Sequence, residues 1–464
     1  MDHQIRYSKL TPALIGRLNE IVGDKNVLAG EGREAYARDE SPHPHDSLPE
    51  AVVRPGNTSE VSQILKLANR ERIPVVPRGA GTGISGGAVP ALGGIVLSLE
   101  RMKRILEIDE ANFCATVEAG VSLNEFCAEV EKHRLYYPLY PGELTATLGG
   151  NVATNAGGMR AVKYGVTRQF VLGLEAVLPS GDIVRTGGKF IKSSTGYDLS
   201  QLLTGSEGTL AVITSVTLKL INPPGSRDIL LVPFPTLSQA IGCVPAILRE
   251  KILPVGIEFM EQDIFQMVED YAQKKIPLHG YPAYLMIMLE TESQEEFHQQ
   301  AERLSEVCLK NGAVDVFVPD SEKAKRNLLE AREKFYPTIQ HHGMADIADV
   351  VVPRSQIARF IEQVKAISLR FNIKVVAYGH AGDGNVHLHP LGGEKEAARV
   401  KKLMKELMLA GLALGGTISG EHGLGQEKKD YLPLAAPPAA LELMRRIKAA
   451  FDPNGIMNPG KVLD

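Results

Sequence analysis

Glycine is gathered into three short stretches of this chain, and that clustering limits the possible folds more than any other feature. The first reads Pro77-Arg78-Gly79-Ala80-Gly81-Thr82-Gly83-Ile84-Ser85-Gly86-Gly87. The second runs from Pro141 to Gly158 in small side chains and continues to Lys163-Tyr164-Gly165. The third is Gly205-Ser206-Glu207-Gly208-Thr209-Leu210. Glycine permits left-handed turns and close approach of backbone to backbone or ligand. Gly81 to Gly86 literally matches G-x-G-x-x-G, but the dinucleotide fingerprint needs its last glycine to open a helix. Here the chain continues GAVPALGGIVLSLE, too rich in glycine and proline for one. An irregular nest of N–H groups suited to a diphosphate fits better, with Thr82 and Ser85 as added donors. The second stretch suits backbone laid against a flat ligand. Each stretch taken alone also reads as a plain glycine turn.

Around these stretches the pattern is α+β. Residues 9–23 read as a helix and 36–50 as a loop. AVVRP and IPVVP read as strands joined by a helix over 58–72. That helix has Thr58 or Ser59 as cap and Val61, Ile64, Leu65 and Ala68 as its buried face, which makes one strand–helix–strand crossover. Further strands are GGIVLSLE, ILEID, CATVEAG, LEAVLP, SGDIV and TLAVITSVTLKLI, with a helix over 121–133. Beyond INPPG come the strands ILLVPF, AYLMIMLE and AVDVFVP, helices over 237–250 and 293–312, and a last helix near 439–450. The expected division is 1–50 (helix and loop), 51–222, a second α+β domain over 223–430, and a C-terminal segment over 431–464. The 464 residues suit two to four domains, and a net charge of −4 gives no basic surface for nucleic acid. The four cysteines lack CxxC spacing, which argues against an iron–sulfur or Cys-type zinc site. No apolar run reaches the roughly 18 residues of a membrane span. No signal-peptide core opens the chain, so a cytoplasmic location is the expectation.

Six of the 12 histidines lie between 341 and 422. His341-His342 sits in a polar loop and reads as surface. Gly379-His380-Ala381-Gly382-Asp383-Gly384-Asn385-Val386-His387-Leu388-His389-Pro390 folds on paper as a hairpin about Asp383-Gly384. His380 and His387 then become direct cross-strand partners, and His389 shares their face. Two such imidazoles can chelate a divalent ion, with Glu421 of Ser419-Gly420-Glu421-His422-Gly423 as the carboxylate. Zinc, iron(II) or manganese(II) would suit the set. Core hydrogen bonding and metal-free catalysis are the other readings of the same pattern.

Taken together, the three glycine stretches, GHAGDGNVHLH and SGEHG resemble FAD-linked oxidases of the vanillyl-alcohol oxidase superfamily. They resemble in particular its branch of D-lactate dehydrogenases, glycolate oxidase subunits and D-2-hydroxyglutarate dehydrogenases. The resemblance runs from about residue 45 to the C-terminus. It implies a two-subdomain FAD-binding domain, an α+β cap, and a C-terminal helical segment returning to the FAD domain. By that resemblance Arg78, Gly79, Ala80, Gly81, Thr82, Gly83, Ile84 and Ser85 wrap the diphosphate. Pro141, Thr147, Gly150, Asn151, Thr154, Gly157 and Gly158 line the flavin and ribityl side. Glu207, Thr209 and Ile213 reach the adenosine half or the pyrimidine edge. No His or Cys lies between 77 and 94, so FAD is expected without a covalent bond.

The same resemblance makes His380, His387 and Glu421 metal ligands and His422 the base. Arg332, in LLEAREKFYP, matches a cap arginine that binds the substrate carboxylate, and Tyr336 lies one turn further on. His389, a further substrate contact, falls where several relatives carry asparagine. The implied reaction is metal-assisted oxidation of a D-2-hydroxy acid, D-lactate first and glycolate second, to the 2-oxo acid. With no cysteine cluster or haem motif in the chain, electrons should leave to oxygen, a quinone or a separate protein. The resemblance favours the protein, since relatives pass them to an electron-transferring flavoprotein, an iron–sulfur subunit or a cytochrome. A non-redox FAD synthase of the same superfamily, or a non-catalytic flavoprotein subunit of a larger complex, are the alternatives.

Overall fold

The computed structural model describes residues 7–43, 47–273 and 279–463. Residues 1–6, 44–46 and 464, which fall within the N-terminal, 36–50 loop and C-terminal readings, lie outside the described residues. The chain divides into two compact units. The first comprises Met1–Ala156, Val166–Pro223 and Glu421–Asp464, and the second Gly157–Gly165 and Pro224–Gly420.

The first unit holds two sheets. Across the smaller one the order is Val27–Leu28, Ala51–Val53, Ile95–Ser98, Val75–Arg78, the last three mutually parallel. Ile95–Ser98 therefore splits the expected crossover, lying between the two strands that the helix Thr58–Glu71 connects. It is buried at every position, as a central parallel strand should be. Val75–Arg78 carries Pro77, which cannot donate to a ladder and belongs at an edge. The helix buries Val61, Ile64, Leu65 and Ala68 as expected. Its cap, however, is Asn57 rather than Thr58 or Ser59, because the Asn57 side chain accepts the Glu60 amide at 3.0 Å.

The larger sheet is antiparallel, in the order Ile105–Asp109, Cys114–Glu118, Val212–Lys219, Val171–Val177, Ile183–Gly187. The second glycine stretch is not all loop. Leu148–Thr154 is a helix, capped by the Thr147 side chain and closed by Asn155 in the left-handed region at φ 53°. Two glycines inside it are weak helix formers. Gly149 is nonetheless required, since a Cβ there would lie 2.5 Å from Ala119 Cβ.

The second unit is built on one antiparallel sheet of six strands. The order is Ser226–Phe234, Ala283–Thr291, Gly256–Glu261, Val375–His380, Asn385–Pro390, Ala348–Val351. Helices Leu237–Arg249 and Gln294–Lys310 form where expected. AVDVFVP does not form a strand. Only Phe317 bridges Leu231, while Val314 and Val318 remain exposed and supply no buried face to a ladder. Among the described residues no helix is long and apolar enough to cross a membrane.

Candidate active site

In the first unit the glycine segments converge on one another. A Cβ on Gly79 would fall 2.1 Å from Thr147 Oγ1, so the first loop rests directly on the cap of helix Leu148–Thr154. The third loop hangs from the same helix, with the Gly205 and Glu207 amides donating to Val152 and Ala153 carbonyls at 2.9 and 2.8 Å. Residues 421–427 close the ring. Ser85 Oγ donates to the His422 carbonyl at 2.6 Å, and the Ser85 carbonyl accepts the amides of Gln426 and Glu427. Asn458 Nδ2 then ties the Gly87 and Glu207 carbonyls together at 3.0 and 2.8 Å.

Several of the expected cofactor residues have protein partners of their own. Arg78 donates to the Arg38 carbonyl at 2.7 Å and lies over the Tyr36 ring, and burial lowers its pKa. The Glu207 carboxylate accepts the amides of Leu424 and Gly425 at 2.9 and 2.8 Å, and burial raises its pKa. Thr209 Oγ1 donates to the Ser206 carbonyl at 2.7 Å, Thr154 Oγ1 to the Gly150 carbonyl at 3.1 Å, and Ile213 is a buried strand residue. Gly157 and Gly158 belong to the second unit.

What fits a dinucleotide is the loop itself. The N–H groups of residues 79–84 meet no protein acceptor among the described residues. Gly81 adopts φ +79°, a conformation that turns successive amides toward one side. A Cβ on Gly83 would meet nothing closer than 3.9 Å. Backbone donors of this kind suit a diphosphate, and the residues present fit FAD.

The second unit supplies a polar sheet face. Register pairs Glu258 with His380, Tyr378 with His387, Val376 with His389, and Asp349 with His387. Directly opposed residues share a face, so Glu258, Asp349, Tyr378, His380, His387 and His389 all lie on one side of the sheet. The expected hairpin is corrected in detail. Ala381–Gly384 forms a four-residue loop, and His380 faces Asn385 rather than His387. The slip is two residues. An even slip preserves the face, whereas a slip of one would have reversed it. His380 and His387 become diagonal neighbours with Nε2 atoms 3.2 Å apart.

Each imidazole has a carboxylate behind it. His380 Nδ1 lies 2.6 Å from Glu258 Oε1, and His387 Nδ1 lies 3.8 Å from Asp349 Oδ1. Asp349 Oδ2 also accepts the Ser419 hydroxyl and the Gly420 amide, both at 3.0 Å. Carboxylates behind histidines with the other ring nitrogens converging are the usual support of a metal site, so this donor set fits a divalent ion. Glu421 and His422 are the next residues in the chain and belong to the first unit, with Glu421 Oε1 3.7 Å from His422 Nε2.

Arg332 is buried near the end of helix Glu322–Glu333. Its Nε and Nη2 both donate to Glu258 Oε2, at 2.9 and 2.7 Å, and its guanidinium lies 4.6 Å from the Tyr378 ring centroid. Burial pushes the Glu258 carboxyl up, but His380 and Arg332 outweigh it and hold the pKa below the ordinary value. The helix breaks at Lys334, and Tyr336 lies in the first turn of the next one, Phe335–His341, its ring 6.1 Å from His389. His389 is fully buried, stacked on Tyr378 at 5.1 Å, with Nδ1 3.2 Å from Met344 Sδ. His341 and His342 are exposed, as expected.

Glu258 and Asp349 are the residues that sequence reasoning missed. Their signal was available: each is a carboxylate flanked by apolar residues inside a strand, in GIEFME and ADVV.

The chain matches two family models, "FAD binding domain" over residues 49–187 and "FAD linked oxidases, C-terminal domain" over residues 223–462. D-lactate dehydrogenase of Anaerostipes hadrus is 39% identical over 469 residues, covering 99% of each chain. Glycolate oxidase subunit GlcD of Bacillus subtilis is 39% identical over 453 residues, covering 96% of each. In fold the chain is similar to p-cresol methylhydroxylase, with a TM-score of 0.82 at 19% identity over 97% of this chain and 96% of that one. Matched in both halves and alike from end to end, the chain belongs to the FAD-linked oxidases and is an FAD-dependent oxidoreductase of the group that holds D-lactate dehydrogenase and the glycolate oxidase subunit.

Proposed function

We propose that this chain oxidises a small D-2-hydroxy acid, D-lactate first and glycolate second, to the 2-oxo acid and passes the electrons to a separate protein. The observation that carries the reading is the buried sheet face on which Glu258 joins Arg332 to His380, with His387 beside His380. A cationic guanidinium beside paired imidazoles is chemistry for a carboxylate with a neighbouring hydroxyl, and relatives of this chain are named for such acids.

FAD, when bound, supplies the acceptor for the α-hydrogen as hydride at flavin N5. His380, His387 and Glu421 would hold a divalent ion, zinc, iron(II) or manganese(II), whose contribution is Lewis acidity toward the substrate hydroxyl. Arg332 binds the substrate carboxylate, and its fixed planar fork sets the orientation of the acid. Tyr336 and His389 border the substrate. His422 takes the proton from the hydroxyl oxygen as general base, an imidazole being suited to that near neutral pH. The glycine loop from Arg78 to Ser85 carries the diphosphate and FAD is bound without a covalent bond.

The test is anaerobic. D-lactate, glycolate and their L- or longer counterparts are added to the flavin-loaded protein, and the visible flavin absorbance is followed. Bleaching by D-lactate with little response to L-lactate is the expected result. Flavin that stays oxidised with every acid in the panel would sink the reading. In air, rapid peroxide formation without any added protein would remove the separate acceptor.

A further inference from the structure

We infer that Glu258 is a positioning residue that couples binding of the substrate carboxylate to binding of the metal ion, an inference that rests on the ligand set proposed above and adds a residue outside it. One carboxylate serves two neighbours. Oε2 takes Nε and Nη2 of Arg332 at 2.9 and 2.7 Å, while Oε1 takes Nδ1 of His380 at 2.6 Å. Glu258 itself is 0% exposed, and Arg332 and His380 are buried with it.

The contact with His380 fixes a tautomer. A carboxylate can only accept, so Nδ1 must carry the proton, which makes Nε2, 3.2 Å from His387 Nε2, the nitrogen whose lone pair a metal would take. The contact with Arg332 fixes a plane. Two guanidinium nitrogens on one oxygen, with Tyr378 at 4.6 Å and Phe335 at 5.2 Å from the guanidinium carbon, hold the fork in one orientation. The two contacts are linked because they share a carboxylate that water does not reach. A substrate carboxylate that draws Arg332 changes the load on Oε2, and the buried group has no solvent partner to compensate except through Oε1 and His380.

The sheet does not need this residue. Glu258 lies opposite His380 in the register, in a strand otherwise made of Gly, Ile, Phe, Met and a terminal Glu. A β-branched or aromatic residue would serve the strand better, and an isolated carboxylate there would be costly. Its presence is accounted for by the two partners it joins.

The experiment measures zinc(II) and manganese(II) affinity by chelator competition, on metal-stripped protein with FAD in place and no substrate. The parent, E258Q, R332K and the double variant are compared, each with and without propionate, a carboxylate with no hydroxyl to oxidise. E258Q is expected to bind metal ~10–100-fold more weakly than the parent. R332K, which disturbs Oε2 only, should weaken metal binding by a smaller factor and add nothing in the E258Q background. Propionate should change metal affinity in the parent and not in E258Q, by linkage between the two sites. Parent-like metal affinity in E258Q, or independent effects of the two substitutions, would overturn the coupling. If E258Q does not fold, R332K and propionate still decide: parent affinity in R332K together with no propionate effect overturns it. A parent that binds neither ion also overturns it. A parent that binds an ion but keeps its flavin oxidised with every hydroxy acid sinks the proposed reaction and leaves the coupling standing.

Discussion

His422 and Gly79 show how differently single residues serve the two halves of the chemistry. The His422 backbone is pinned by Ser85 Oγ at 2.6 Å, so removing its imidazole leaves the first glycine loop tied as before. H422A should therefore keep its FAD and lose turnover by roughly 10²–10⁴-fold, the usual contribution of a general base. Unchanged turnover in flavin-saturated H422A would remove the base assignment. Gly79 is the converse. A methyl there would collide with Thr147 Oγ1 at 2.1 Å, a short side chain that is itself the cap of helix Leu148–Thr154. G79A should cost about 0.5–2 kcal/mol through the lost cap and weaken FAD retention, with the sheet face of the second unit unaffected. Flavin content equal to the parent after gel filtration would show that the loop has room the geometry denies.

At the scale of the element, the hairpin separates what a sequence can reveal from what it cannot. The motif GHAGDGNVHLH placed His380, His387 and His389 on one face because strands alternate with period two, and any even register keeps that result. The register itself was not legible. Asp383-Gly384 reads as a two-residue turn, yet the Gly384 and Asp383 amides both donate to the His380 carbonyl, at 2.9 and 3.3 Å, and the loop takes four residues. Glu258 and Arg332 meet across 74 positions, and no local pattern encodes such a pairing. The helix at Leu148–Thr154 was hidden for another reason: its two glycines oppose helix propensity, and the tertiary contact of Gly149 with Ala119 overrides that. Face alternation gives a direct prediction. One residue inserted between Gly382 and Asp383 lets the second strand re-pair with an odd slip, turning His387 and His389 away from Glu258. Two inserted residues preserve the face. The first variant should lose divalent-ion binding and the second should retain most of it, measured by chelator competition. Equal loss in both would mean that loop length, not face, controls the site.

At the scale of the whole chain, the first unit is discontinuous and its last piece does the fastening. Lys448 Nζ bridges the carbonyls of Thr209 and Met457 at 2.9 and 2.8 Å, and Asp452 accepts the amides of Ile456 and Met457 at 3.0 and 2.8 Å. Beyond them the Val75 backbone pairs with Ile456 and Asn458, and Lys461 is buried at 1% exposure with its Nζ on Gln426 Oε1 at 2.9 Å. This fastening carries its own pH signature. Burial lowers the Lys461 pKa to about 8, against an ordinary value of 10.5, while Asp39, Glu427 and Glu207 pull the other way. Between those two values the unfolded chain holds a proton that the folded chain has released, so stability rises with pH across the window, by at most about 1.4 kcal/mol per pH unit from this group. Below about pH 8 both states carry the charge and the cost of burying it is constant. K461M has no ammonium to bury and should lack the rise, so the parent gains stability relative to the variant as pH increases. Denaturant unfolding of both proteins from neutral pH to about 10 checks this. Parallel curves for the two would show that Lys461 titrates as an ordinary lysine and that burial does not depress its pKa.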